Sequence, residues 1–100
     1  MARPRSQLHN ILKNITPHVY FQPPNGLKMT YPCIVYRQDD EQVDHADNLP
    51  YRRTKRYQIT VIDANPDSDI PGKVADLPLC VFNRFFTSDY LNHDIYNLYF

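Results

Sequence analysis

The sequence predicts an α+β fold: a small, mostly antiparallel sheet with two helices packed on one face. Three observations lead there. Arg56-Tyr57-Gln58-Ile59-Thr60-Val61-Ile62-Asp63 alternates, with Tyr57, Ile59 and Val61 to one side and Gln58, Thr60 and Ile62 to the other. Period-2 spacing of β-branched and aromatic residues marks a strand. Leu8, Ile11, Leu12 and Ile15 recur at helical spacing, one apolar stripe on a helix of about three turns. Further short apolar runs are divided by Pro, Gly, Asn and Asp, the punctuation of strands and turns. A chain of 100 residues makes a single domain, 1–100. Its core is thin enough for self-association to help it.

Taken in order, the first helix has Ser6 as its expected N-cap and ends before Pro17, which pushes Thr16 out of the helical region. Val19 to Gln22 is a short strand. Pro23-Pro24-Asn25-Gly26 is a turn, since proline cannot continue a ladder and Asn-Gly tolerates positive φ. Pro32 opens a strand over Cys33-Ile34-Val35-Tyr36-Arg37, where a missing N–H costs little. This strand and 56–63 form a hairpin with a long insertion. Ala64 to Asp69 leads into a second, two-turn helix carrying Ile70, Val74 and Leu77, with Asp69 as its cap and Pro71 in its first turn. Leu79 to Phe86 is a strand, Ser88-Asp89 a turn, and Leu91 to Phe100 a closing strand tied into the sheet.

Composition excludes more than it identifies. Basic and acidic residues balance at 11 each, for zero net charge, so no global field draws nucleic acid or an anionic membrane. No apolar run approaches the roughly 20 residues of a membrane span, and Met1 to Arg5 does not open a signal peptide; the expected place of synthesis is the cytoplasm of the producing cell. Cys33 and Cys80 sit in apolar runs and read as small buried hydrophobes. Eight Tyr in so short a chain suit either the rim of a core or an interface.

Catalytic chemistry finds no foothold. His9, His18, His45 and His93 stand at no metal-ligand spacing. The acids between 39 and 47 lack the glycine turn and terminal glutamate of a calcium loop. Ser6, Ser68 and Ser88 stand in cap or turn contexts, none in a nucleophile elbow. Gly26 and Gly72 are the only glycines, too few for a phosphate-cradling loop. The expectation is a protein that is not an enzyme and holds no metal or cofactor.

The unusual stretch is 38–55, a mobile loop or an extended hairpin arm. Asp39, Asp40, Glu41, Asp44 and Asp47 form an acidic half; Arg52, Arg53, Lys55 and Arg56 form a basic half, with Asn48-Leu49-Pro50-Tyr51 between them. Irregular segments of this length are functional or disordered. The run 51–57, four cations between two tyrosines, suits a phosphate backbone, a protein interface or plain solvation.

Tyr31-Pro32-Cys33-Ile34-Val35-Tyr36-Arg37, a polar insertion, and then Arg56-Tyr57-Gln58-Ile59-Thr60-Val61-Ile62-Asp63 followed by a helix resembles the tail terminator (tail completion, head–tail joining) proteins of long-tailed bacteriophages. The likeness spans nearly the whole chain. It implies a structural virion protein without cofactor, assembled in the host cytoplasm as a ring, hexameric in this family, at the head-proximal end of the tail tube. Such a ring ends tube polymerisation and meets the head connector, and the genome passes through its bore without sequence recognition. The implied partners are further copies of the chain, the tail tube protein and the neck proteins, with no membrane. A neighbouring neck protein of the same fold is an alternative, as is a DNA-contacting module using 51–57. A cyclic ring needs two different patches that meet head to tail. On that expectation Asp39, Asp40 and Glu41 of one subunit face Arg52, Arg53, Lys55 or Arg56 of the next, with Leu49 and Tyr51 as the apolar contacts.

Overall fold

Helix α1 spans Arg5–Ile15 and turns Leu8 and Leu12 fully inward. Ser6 lies inside its first turn. The N-cap is instead Pro4, in an extended conformation and without a side-chain cap, and the Gln7 N–H closes the first turn on the Pro4 carbonyl at 3.1 Å. Thr16 ends the helix at φ −146°, ψ 144°, as the residue before a proline should. A computed structural model describes residues 4–46 and 49–100.

Five strands follow: β1 (Val19–Phe21), β2 (Cys33–Ala46), β3 (Leu49–Asp63), β4 (Cys80–Ser88) and β5 (Leu91–Tyr99), with helix α2 (Ile70–Ala75) between β3 and β4. They form one sheet in the order β1-β2-β3-β5-β4. All pairs are antiparallel except β1 with β2. That exception makes the sheet mixed. Residues 22–32 carry the chain back along the sheet, with φ positive at Gln22 and Gly26, so β2 starts beside the start of β1.

The predicted alternation sets the layers. Tyr57, Ile59 and Val61 of β3 join Ile34 and Tyr36 of β2 and Tyr96 and Leu98 of β5 on one face, where Leu8, Leu12, Ile70 and Val74 of the helices cover them. Phe100 closes the same core, and its N–H donates to the Lys55 carbonyl at 3.0 Å. α2 is shorter than its apolar spacing suggested and ends at Ala75. Asp69 does not cap it through its side chain. The Ser68 hydroxyl accepts from the Ile70 N–H at 3.3 Å, while the Asp69 carboxylate pairs with Lys73 at 3.4 Å. The β4–β5 turn falls one residue later than expected, at Asp89 and Tyr90, both at positive φ (52° and 64°). This is the left-handed pair of a tight hairpin turn.

The stretch 38–55 is an arm rather than a loop. β1 leaves β2 after Phe21↔Tyr36, and β5 leaves β3 at Tyr99↔Arg56. Beyond those points β2 and β3 pair only with each other, out to Ala46↔Leu49. The arm draws the molecule out to 51 × 25 × 23 Å.

Candidate functional site

The strongest surface features are the arm and the opposite edge of the sheet. Charge patterning builds the arm. Its register sets Asp40 opposite Arg56, Glu41 opposite Lys55 and Asp44 opposite Arg52. A two-stranded ribbon is marginal alone, and opposite charges facing across it help hold it. A bulge between Gln38 and Asp40 brings Asp39 and Asp40 together over one cation. Arg56 bonds Asp39 through Nε (3.0 Å) and NH2 (3.3 Å) and lies 3.8 Å from Asp40. The hydrogen bond that Arg56 donates to Asp39 first, and then the one it donates to the Tyr99 hydroxyl, raises its pKa. Two carboxylates against one guanidinium leave a local negative charge.

The expected interface residues therefore share one arm. Asp39, Asp40 and Glu41 lie on its β2 side. Arg53 and Lys55 are exposed on its β3 side, and Leu49 is exposed near its outer end. Arg56 is engaged within its own chain. The side chains of Tyr51 and Arg52 lie outside the described residues, as does the whole of Asp47 and Asn48. The acidic and basic halves thus face each other within one hairpin.

The second feature was hidden in the sequence. β4 is an edge strand, and it is exposed almost throughout: Val81 63%, Phe82 54% and Phe85 52%, with Leu79, Phe86 and Tyr90 also open to solvent. Phe82 meets Tyr96 edge-on (5.5 Å) on the helix face, and Phe86 stacks on His93 (4.5 Å) on the other. Apolar residues at both parities are the pattern of a strand covered on both faces. That same two-sided pattern is the signal that could have marked a strand awaiting cover.

Two polar clusters were weighed as active sites. The buried Tyr36 hydroxyl lies 2.7 Å from His9 Nδ1 and accepts from Arg5 at 2.9 Å; Arg5 also stacks over Phe21 at 4.3 Å. Burial, then Arg5 and Lys13, lowers the His9 pKa, and burial raises that of Tyr36. This cluster is a strut between α1 and the sheet, and Arg5 and His9 also line an open hollow of about 220 Å³ with Ser6 and Asn10, below the size of common ligand pockets. The other cluster is a polar cleft of about 190 Å³ between Asp63, Asn92 and Asp94, smaller than the roughly 300 Å³ where ligand pockets begin. Burial lifts the Asp94 pKa, and no group of metal-ligating side chains assembles among the described residues. Burial pushes both thiols up to about 11, where they are poor nucleophiles.

No protein family, curated protein or solved structure matches the chain.

Proposed function

We propose that this chain is a structural ring subunit of a bacteriophage tail, acting as a tail terminator at the head-proximal end of the tube. One observation carries the reading: a single small sheet has two unlike open edges. One edge bears the charged arm and the other the aromatic strand β4. Unlike patches on one chain associate head to tail, and such contacts close into rings when the rotation permits. Exposed aromatics of this extent mark an interaction surface. The resemblance of the 31–37 and 56–63 strands to tail terminators supplies the setting: a hexamer between tail tube and head connector, with the genome in its bore. Another neck ring of the same fold fits the same geometry.

Native mass measured across protein concentration and salt tests it. A six-subunit species is expected, and a monomer under every condition overturns the reading. Charge reversal at Arg52 and Arg53 should impair assembly and leave the fold intact; an unchanged ring would remove the arm from the seam.

A DNA-contacting module remains a second reading because Arg53 and Lys55 are exposed. The acidic strand beside them argues against it, since carboxylates one strand away offset the field a phosphate backbone would meet. Retention on DNA at low salt, lost steeply as salt rises, would favour it.

A further inference from the structure

We infer that β4 of one copy takes up the free edge of β2 of a second copy, residues 37–46, as an added antiparallel strand. The sheet then runs on from subunit to subunit. This inference rests on the ring reading and names the two surfaces of its seam.

Both edges are open and of similar length. β4 has nine residues and, among the described residues, no strand on its outer side. Natural edge strands are blunted by proline, lysine or inward charges. Between Cys80 and Ser88 there is no proline or lysine and Arg84 is the only charged residue. The blunting device it does carry is a bulge between Phe82 and Arg84, with Arg84 through Ser88 paired in register beyond it. On the other edge, β2 loses β1 after Tyr36 and continues unpaired on that side to Ala46.

Strand direction fits. β2 and β3, β3 and β5, and β5 and β4 are each antiparallel. β4 therefore runs opposite to β2. When a second copy keeps the same sense along the strands, its β2 meets β4 antiparallel, and β2 of the first copy is left free for a third.

Charge and facing fit as well. Arg84 pairs with Ile95, and Asp40 with Arg56, which pairs with Tyr99. All lie on the face away from the helices. A continued sheet thus brings Arg84 to the side that carries Asp39 and Asp40, where one cation already meets two carboxylates. Arg84 takes part in no ion pair among the described residues. Phe86 shares its face with Val35 and Arg37, which help line a hollow of about 480 Å³ where β1 ends, a place for an incoming aromatic ring. The competing arrangement, β4 against β4 across a two-fold axis, places Arg84 at the strand's midpoint opposite its own copy, and like charges directly opposite destabilise a ladder.

The test uses the full chain with Cys80→Ser, which removes the half-buried native thiol, and with Gln42→Cys and Asn83→Cys together, so that Arg84 stays in place. Both introduced positions are exposed. A bis-maleimide spanning about 7 Å covers a two-residue register step. The same linker cannot join the two sites within one chain, which sit three strand spacings apart across the sheet, about 14 Å, and about six residues apart along it, about 20 Å. The expected result is a ladder of linked species on a denaturing gel ending at the closed ring, absent from either single variant, with thermal unfolding unchanged before linking. Linking in Asn83→Cys alone overturns the pairing in favour of the two-fold contact. A multi-subunit native mass with no ladder overturns the pairing and leaves the ring reading standing. A monomeric native mass overturns both.

Discussion

Replacing residues 42–54 with Asn-Gly should remove assembly while leaving the domain folded. The replacement joins Glu41 to Lys55, which already face each other. It keeps the Arg56 contacts with Asp39 and the Phe100 bond to the Lys55 carbonyl. No member of the core cluster lies in the excised segment, so no apolar burial is lost from the body. Two effects then oppose each other. Shortening the connection about sixfold lowers the cost of closing it, by up to about 1.6 kcal/mol at 0.6 kcal/mol per halving. The ribbon loses its cross-strand pairs, each contributing about 0.2–1 kcal/mol, for a total of about 1–2 kcal/mol. The net change is within about 1 kcal/mol, or roughly 4–8 °C in Tm for a domain of this size. Thermal unfolding followed by circular dichroism, at concentrations where the parent is dissociated, measures it without the stabilisation that assembly adds. A chain unfolded at 25 °C would refute the reasoning, because the arm would then belong to the folding unit. Full assembly by the truncated chain would refute its place in the seam.

Three further outcomes follow from the body of the fold. Tyr36→Phe keeps the buried ring but removes the hydroxyl shared by Arg5 and His9, and should cost about 1–2 kcal/mol in urea unfolding; no loss would mean the strut carries nothing. The folded-state pKa of His9 is depressed, so the unfolded chain binds its proton more readily. The stability this group contributes is therefore complete above pH 6.5 and falls as pH drops below that value through the folded pKa. Unfolding midpoints at pH 7 and pH 5 should differ less in His9→Gln than in the parent, and equal differences would exclude His9 as the source. Tyr90→Gly should stabilise the monomer by up to about 1 kcal/mol, because a left-handed backbone costs a non-glycine residue about 1–2 kcal/mol and glycine's extra unfolded-state freedom offsets part of that. A less stable monomer would show that the side chain, 99% exposed in the isolated chain, has an intramolecular partner.

The layers of the fold were legible because period decides them. Alternation in 56–63 and 91–100 assigned each side chain to its face, and the stripe Leu8, Ile11, Leu12, Ile15 assigned the helix to the same core. Caps were less legible. Ser6 has the right chemistry but lies inside α1, whose N-cap is Pro4, whereas Asp69 is the N-cap of α2 and leaves the side-chain bond to Ser68. The parallel β1–β2 pair was not legible, since 22–32 lacks the helix that usually announces a parallel crossover. Nor was the position of β4 in the sheet. Leu79-Cys80-Val81-Phe82 reads as a strand from any local window, and only the strand order places it at an edge that no other described strand covers.

The arm was legible as charge and as one of two structural alternatives, a loop or an extended hairpin, with its register out of reach. Its two halves alternate in sign across the hairpin and not along it, so a linear scan sees only an acidic block and a basic block. Pairing them within one chain removes most of the electrostatic attraction that a purely charged seam would need. Exposed ion pairs contribute about 0–1 kcal/mol even when unopposed, so the charges fix register and the adhesion must come from elsewhere. On this chain the uncovered apolar area is concentrated in Val81, Phe82, Phe85 and Phe86. Burying about half of such a side chain is worth on the order of 1 kcal/mol, and several such residues on one strand outweigh the charges. An assembly of this protein should accordingly weaken only modestly as salt rises, and Phe85→Ser should dissociate it more than Asp40→Asn does. The reverse ranking in native mass titrations would return the seam to the charged arm alone.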